Sequence, residues 1–375
     1  MIHPKTFYNW LKENNVDFFC GVPDSLLKDI CAYITYNSPK NNHIIAANEG
    51  NAIALAAGYH IATNKIPLVY MQNSGIGNAI NPLLSLTDKK VYNIPVILLI
   101  GWRGEPGNKD EPQHIKQGEV TLDLLDAMKI PYLVLSQIEE EAHEQIQKAI
   151  AKIEKTKEAY AIIVRSGTFD KYSIKNNIEN DYELSREDAI KQIVNQLDGS
   201  EIVVSTTGKT SRELFEYRVA LKQHHNSDFL TVGCMGHANQ IALGIALNKP
   251  AKKVFCIDGD GALLMHMGSL AIIGSMAPNN LVHIVINNGS HESVGGQPTV
   301  GFNIDIPAIA IANSYKSAVQ VSTAKELDIA LKNINASDCP ILIEVKVRVG
   351  SRDNLGRPTI NPEKNKRNFM KNLES

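Results

Sequence analysis

Two apolar runs that end in polar residues constrain the fold of this chain most strongly. The run at 254–257 leads into a Gly-Asp-Gly turn centred on Asp260, and the run at 281–286 leads into Asn287 and Asn288. If the two runs are neighbouring parallel strands, a carboxylate and an amide oxygen meet at one edge of a sheet. Such oxygen ligands suit a hard cation, and the glycines let another group approach the backbone closely.

A helix predicted to begin near Ala262 points its N-terminus at the same place, where an anion is favoured. Together with the bare backbone at Gly259 and Gly261, this helix end predicts a site for Mg²⁺ and a diphosphate. The alternative is a pair of ordinary strand-to-helix turns, because Gly-Asp-Gly is also favourable turn chemistry.

Strand-like and helix-like segments alternate through both halves of the chain. This pattern predicts an α/β protein with two doubly wound parallel sheets that carry helices on both faces. We expect a first domain at 1–166, a polar linker at 167–184, a second domain at 185–350, and a C-terminal extended segment and helix at 351–375.

The composition is that of a globular enzyme. The 375 residues have a net charge of -2, and 21% of them are charged, which argues against a nucleic-acid or membrane partner. The five cysteines form no CxxC pair, so we expect reduced, mostly buried thiols in a cytoplasmic protein. The first residues lack the apolar core of a signal peptide, and the longest apolar run is about half a membrane span.

Glu49 is the second candidate for chemistry. It lies in AANEGNAIALAAGY (46–59), directly after a predicted strand and in the first turn of an Ala-rich helix. Taken alone, this position is explained better by the helix dipole, which favours a carboxylate at a helix N-terminus.

The Gly-Asp-Gly turn, the later Asn pair and the Glu49 segment together resemble the signature of thiamin-diphosphate-dependent 2-oxo acid decarboxylases, in particular their short two-domain branch. The resemblance implies the thiamin-diphosphate-binding fold for both domains. It implies Mg²⁺ ligands at Asp260, Asn288 and the backbone carbonyl of Ser290, with Asn287 as the open alternative to Asn288. Glu49 becomes the residue that shares a proton with N1′ of the aminopyrimidine ring and so activates the cofactor.

The same resemblance implies further cofactor contacts. The Gly-rich turn at Gly75 packs near the aminopyrimidine, and Met235 matches the apolar residue that separates the two cofactor rings. The turn STTGKT brings Thr207, Gly208 and Lys209 to the diphosphate. Read without the family, G-x-G at Gly75 and GKT at Gly208 suggest a non-catalytic nucleotide-binding protein, but both motifs are incomplete.

Three segments are candidates for the substrate. GVPDSLL carries Ser25, and HESVGGQPT, directly after the metal motif, carries His291. The long loop predicted at 101–118 carries His114 and three basic residues that could pair with a phosphonate, namely Arg103, Lys109 and Lys116.

The resemblance of these segments to the family implies the decarboxylation of 3-phosphonopyruvate to phosphonoacetaldehyde and CO₂, by addition of the cofactor's C2 ylid, formation of an enamine and its protonation. Sulfopyruvate or another 2-oxo acid is the alternative substrate. The family also implies a homo-oligomer whose active sites lie between subunits.

Overall fold

The computed structural model describes residues 1–172 and 180–374. The chain forms two compact units. The first comprises Met1–Asn176 and Ser293–Gln297, and the second comprises Asn177–Glu292 and Pro298–Ser375. Residues 173–179 of the predicted linker lie outside the described residues.

The first unit is built on a six-stranded parallel sheet. Its strands are β1 (Phe19–Gly21), β2 (His43–Ile45), β3 (Leu68–Gln72), β4 (Ile97–Gly101), β5 (Tyr132–Val134) and β6 (Tyr160–Val164), in the spatial order β2-β1-β3-β4-β6-β5. Its helices are α1 (Pro4–Glu13), α2 (Lys28–Asn37), α3 (Glu49–Thr63), α4 (Ile76–Pro82), α5 (Pro112–Ala127) and α6 (Glu139–Thr156). A π-helical turn at Leu83–Thr87 follows α4.

The second unit repeats this plan. Its sheet strands are β7 (Ile202–Ser205), β8 (Asp228–Leu230), β9 (Val254–Gly259), β10 (Leu281–Asn287), β13 (Ser317–Val321) and β14 (Ile341–Lys346), in the order β13-β14-β10-β9-β7-β8. Its helices are α7 (Arg186–Asn195), α8 (Lys209–Ala220), α9 (Ala238–Asn248), α10 (Asp260–Met265), α11 (Ser269–Met276), α12 (Ile306–Ala312), α13 (Ala324–Lys332) and α14 (Pro362–Glu374). The two-residue strands β11 (Ser290–His291) and β12 (Gln297–Pro298) lie between β10 and α12 in sequence.

Both sheets are buried on two faces, which confirms the predicted α/β class. In β3, for example, Leu68 and Tyr70 belong to one apolar cluster, whereas Val69 and Met71 belong to another. Successive side chains of a strand point to opposite faces, so two clusters per sheet require helices on both sides.

The loop predicted at 101–118 is shorter in the structure, because helix α5 begins within it. The segment predicted as a loop at 101–118 turns helical at Pro112, so His114 and Lys116 belong to the first turns of α5. Proline favours the first helical position because its fixed φ suits a helix and no partner is needed for its nitrogen there.

All five cysteines are free thiols, and four of them are buried. Within residues 1–172 and 180–374, helices are too short or too polar to cross a bilayer.

Candidate active site

The predicted meeting of the two polar turns is confirmed. Strands β9 and β10 are parallel neighbours with Gly259 opposite Ile286, so Asp260 and Asn288 follow the same edge of the sheet. Both side chains are buried, at 3% and 5% exposure.

Asp260 is a buried carboxylate without a cationic neighbour among the described residues. It accepts hydrogen bonds from the Thr299 hydroxyl and from the backbone amides of Asn288 and Gly261. Burial nevertheless raises its pKa to about 6. Burying a carboxylate without a compensating cation is costly, so this environment fits a hard divalent cation that would hold Asp260 in its charged form.

The two asparagines differ in how their side chains are used. The Asn287 amide donates to Gly301 O at 2.8 Å and to Glu344 Oε1 at 2.7 Å, while its oxygen accepts from the Gly289 amide. Among the described residues, the Asn288 oxygen likewise accepts one backbone hydrogen bond, from the Ser290 amide at 3.0 Å, and its amide nitrogen donates to Glu292 at 3.0 Å. Each of the two oxygens therefore keeps a lone pair to offer, and the choice of Asn288 as the metal ligand rests on the resemblance to the family.

Glu292, which accepts a hydrogen bond from the Asn288 amide, belongs to a group of four charged side chains. We call Arg186, Lys209, Glu213 and Glu292 the charge cluster. Arg186 donates to both oxygens of Glu213, at 2.7 and 2.8 Å, and to Glu292 at 2.7 Å. Lys209 Nζ lies 3.1 Å from the other Glu292 oxygen. Burial opposes ionisation of Glu292, but Arg186 and Lys209 outweigh it and hold its pKa below the ordinary value. The two positive and two negative charges cancel within the cluster.

The turn after β7 has the shape of an anion site. Gly208 has a φ of +94°, a conformation that favours glycine, and Lys209 begins α8 directly after it. The N-terminus of this helix presents backbone amides that attract an anion. The Thr207 hydroxyl accepts from the Gly233 amide at 3.0 Å, whereas Lys209 Nζ is turned toward Glu292 and Ser351.

The side chains of Met235 and His291 both lie close to Gly261. A Cβ atom added to Gly261 would lie 3.0 Å from the His291 ring and 3.4 Å from Met235 Cε. Burial lowers the pKa of His291 to about 4, so its imidazole is neutral at neutral pH. Ala262, the next residue, is buried in α10.

Glu49 begins α3 and is only 4% exposed. Asn48 caps the helix through the Asn51 amide at 2.9 Å, which leaves the Glu49 carboxylate for other contacts. Asn78 donates to Glu49 Oε2 at 2.7 Å, and a Cβ at Gly75 would lie 2.3 Å from Oε1. The carboxylate is therefore held between a donor and a glycine that must lack a side chain.

A cleft of about 600 Å³ lies in the first unit at the ends of β4 and β6. Arg103 and Lys109 line it, together with Arg165, whose Nε lies 2.7 Å from Glu105 in the same lining. No sequence motif marks Arg165 as a candidate, because it lies far along the chain from the other two. Arg103 Nη1 donates to Ser25 Oγ at 2.7 Å, and its Nε donates to Asp110 at 2.8 Å. Burial disfavours a charged Asp110, but the Arg103 guanidinium and backbone amides hold its pKa well below its usual range.

The remaining two candidates lie outside this lining. The Lys116 side chain is 81% exposed on α5 and pairs with Glu119 at 3.2 Å. His114 follows Pro112 on the same helix, and its carbonyl oxygen would be 1.9 Å from a Cβ at Gly104. The structure thus brings Ser25, Arg103 and Lys109 to one region and leaves Lys116 on the surface.

Known families match most of the chain. The C-terminal TPP-binding domain of thiamine pyrophosphate enzymes matches residues 206–345, and the N-terminal TPP-binding domain matches residues 4–129. Thiamine pyrophosphate, or TPP, is another name for thiamin diphosphate.

Three curated relatives align with nearly the whole chain. A phosphonopyruvate decarboxylase of Streptomyces viridochromogenes is 35% identical over 93% of this chain and 89% of its own length. A phosphonopyruvate decarboxylase of Streptomyces hygroscopicus is 34% identical over 93% and 88%. A sulfopyruvate decarboxylase of Methanosarcina acetivorans is 27% identical over 97% and 96%. The chain therefore belongs to the thiamine pyrophosphate enzymes and, within them, to the family of the phosphonopyruvate decarboxylases.

Proposed function

We propose that this protein decarboxylates 3-phosphonopyruvate to phosphonoacetaldehyde and CO₂ with thiamin diphosphate and Mg²⁺. The observation that carries the choice of substrate is the cleft where Arg103 is fixed by Ser25 and Asp110 and is joined by Lys109 and Arg165. A planar guanidinium held in place suits a phosphonate dianion. The identity to the two Streptomyces decarboxylases supports the same substrate.

We assign the cofactor contacts by their chemistry. Asp260, Asn288 and the Ser290 carbonyl would hold the metal ion. The residues that would contact the diphosphate are Thr207, Gly208, Lys209, Gly259, Gly261 and Ala262. Lys209 would do so through its backbone amide, because its side chain is turned toward Glu292 and Ser351. Met235 would support the cofactor rings, and when bound the cofactor supplies an electron sink for the loss of CO₂.

Glu49 is the proton-handling residue in this proposal, and His291 is a catalytic candidate beside it. Glu49 would hold a proton toward N1′ of the pyrimidine, and Asn78 and Gly75 fix the carboxylate that does so. The reaction exchanges CO₂ for a proton at the former carbonyl carbon. Burial lowers the pKa of His291 to about 4, so its neutral imidazole would orient the reacting group by hydrogen bonding, and the proton would come from another acid or from water. The Ser25 hydroxyl accepts from Arg103 and so keeps its own proton to donate to the substrate.

The substrate is tested by comparing kcat/KM of the purified protein for phosphonopyruvate, sulfopyruvate and pyruvate. We expect kcat/KM for phosphonopyruvate to exceed that for pyruvate at least about tenfold, because pyruvate lacks an anionic group for Arg103 and a hydrogen bond to a charged group contributes about 1.5 kcal/mol or more. We expect phosphonopyruvate to be preferred over sulfopyruvate as well, because the phosphonate dianion carries more charge than the sulfonate monoanion. Equal or better turnover of sulfopyruvate would assign the protein the activity named for the Methanosarcina relative.

We expect Arg103→Gln to raise KM for phosphonopyruvate about tenfold or more while that for pyruvate changes little, because only the former carries a phosphonate. The matched control is Lys116→Gln, which removes an exposed cation that pairs with Glu119 outside the cleft. Steady-state kinetics with both substrates check the prediction, and equal effects of R103Q on both substrates would contradict it.

We expect Gly75→Ala to lower kcat at least about tenfold, because the new methyl would lie 2.3 Å from Glu49 Oε1 and must displace the carboxylate. Gly77→Ala is the matched control in the same segment, since a Cβ there meets no atom of the described residues within 4 Å. Parallel kcat measurements on the two variants check this. Similar activities would show that the position of the Glu49 carboxylate is unimportant.

We also propose a cytoplasmic homo-oligomer with active sites between subunits, as the resemblance to this family implies. A solution mass equal to one 41.3 kDa chain would contradict the oligomer.

A further inference from the structure

We infer that Glu292 is a positioning residue for the metal: it fixes the rotation of the Asn288 amide so that the oxygen, rather than the nitrogen, is offered to the cation. This inference rests on the proposed Mg²⁺ site. Sequence position alone suggests a role for Glu292 in contact with substrate, directly after His291. The structure places its carboxylate in a different set of contacts.

The orientation of the Asn288 side chain is set by its hydrogen-bond partners. An asparagine side chain presents an oxygen on one side and an NH₂ group on the other, and rotation by half a turn exchanges them. The Glu292 carboxylate lies 3.0 Å from Asn288 Nδ2. An ionised carboxylate can only accept hydrogen bonds, so it selects the rotation in which the NH₂ group faces Glu292. The oxygen must then face away, where it also accepts from the Ser290 amide at 3.0 Å.

The Glu292 carboxylate is itself held in place by Arg186 and Lys209. Arg186 Nη1 donates to Oε2 at 2.7 Å, and Lys209 Nζ donates to Oε1 at 3.1 Å. Arg186 is in turn fixed by its paired bonds to Glu213, whose side chain is fully buried. Charge-assisted and paired contacts of this kind are short and directional. The carboxylate is thus anchored on one side by the charge cluster and supplies Asn288 with an acceptor on the other.

The net charge of the charge cluster bears on the metal site. The cluster is neutral as a whole, so it orients Asn288 without placing an uncompensated positive charge beside Asp260. A lysine or arginine in direct contact with Asp260 would repel a divalent cation. Groups that orient a metal ligand without touching the metal commonly change metal affinity 10- to 100-fold when they are replaced.

The test measures Mn²⁺ binding to the whole chain in saturating thiamin diphosphate. Binding is monitored by electron paramagnetic resonance, in which the signal of free Mn²⁺ disappears as the ion binds. We expect Glu292→Gln to raise the Mn²⁺ Kd about tenfold or more, because a glutamine amide can donate to Asn288 and permit the wrong rotation, and because the lost carboxylate leaves the charge cluster with one uncompensated positive charge. Glu292→Asp keeps an acceptor-only group, and we expect it to bind Mn²⁺ more tightly than E292Q. The control is Glu216→Gln, which breaks another ion pair of α8, with Arg352; its Kd should match the wild type.

The role of Glu292, the metal site and the proposed function are tested by different results. A folded E292Q variant with the wild-type Mn²⁺ Kd would overturn the role of Glu292. If E292Q does not fold, a wild-type Kd for E292A, or a Kd for E292D as weak as that for E292A, would overturn it in the same way. Failure of the wild-type protein to bind Mn²⁺ would contradict the metal site, whereas Mn²⁺ binding without turnover of phosphonopyruvate would contradict only the proposed function.

Discussion

Replacing Glu49 with glutamine is expected to lower kcat about 10³-fold while the Kd for thiamin diphosphate changes only a few-fold. General acid–base groups contribute about 10²- to 10⁴-fold to rate, and an amide has no acidic proton to share with the pyrimidine nitrogen. Glutamine has the same shape and can still accept from Asn78, which donates to Glu49 at 2.7 Å. The loss would therefore report on proton transfer and not on packing. Steady-state kinetics and calorimetric titration of the cofactor measure the two quantities.

The control distinguishes this role from the simpler explanation of Glu49 as a helix-dipole residue. Glu139 occupies the same first position in α6 but is exposed. If Glu49 only complements the dipole, E49Q and Glu139→Gln should both cost about 0.3–1 kcal/mol in stability and leave kcat unchanged. A wild-type kcat for E49Q would remove Glu49 from the chemistry.

Replacing Asp260 with alanine is expected to abolish binding of Mg²⁺ and thiamin diphosphate together. In the wild type, Mg²⁺ and cofactor at 100 times Kd should add about 2.7 kcal/mol to the free energy of unfolding. This gain should vanish in D260A. The apo-protein itself should lose little stability, because the substitution removes a buried carboxylate that lacks a cation among the described residues.

Thermal unfolding of both proteins, with and without Mg²⁺ and thiamin diphosphate, measures this effect. Asp305→Ala serves as the control, because Asp305 is exposed and caps α12 through the Ala308 amide. D305A should lower Tm in both conditions yet keep the ligand-induced increase. An unchanged increase in D260A would remove Asp260 from the metal site.

Features set by strand order were predictable from the sequence. Asp260 and Asn288 follow two apolar runs, and the parallel pairing of those runs brings the turns together. The position of Glu49 in the first turn of α3 was predictable because the residue follows a predicted strand and precedes an Ala-rich segment. In each case the residues lie within one strand-turn-helix segment or within adjacent segments, where local pattern and topology decide the geometry.

Contacts between distant segments were not predictable in this way. Arg186 meets Glu292 across 106 positions, and Thr299 meets Asp260 across 39. No local periodicity encodes such pairs, because they depend on how helices pack on the sheet. The prediction that Lys116 lies in a loop was wrong for a local reason. Charged residues and glycines suggested a loop over 101–118, but Pro112 begins a helix.

We propose above all that this protein forms phosphonoacetaldehyde from phosphonopyruvate in a reaction that needs both thiamin diphosphate and Mg²⁺. The most direct measurement is ³¹P NMR of phosphonopyruvate incubated with the purified protein, with each cofactor present or omitted in turn. We predict that the substrate signal is replaced by that of phosphonoacetaldehyde only when both cofactors are present. A substrate signal that persists in the complete mixture, or conversion that continues without thiamin diphosphate, would contradict the account.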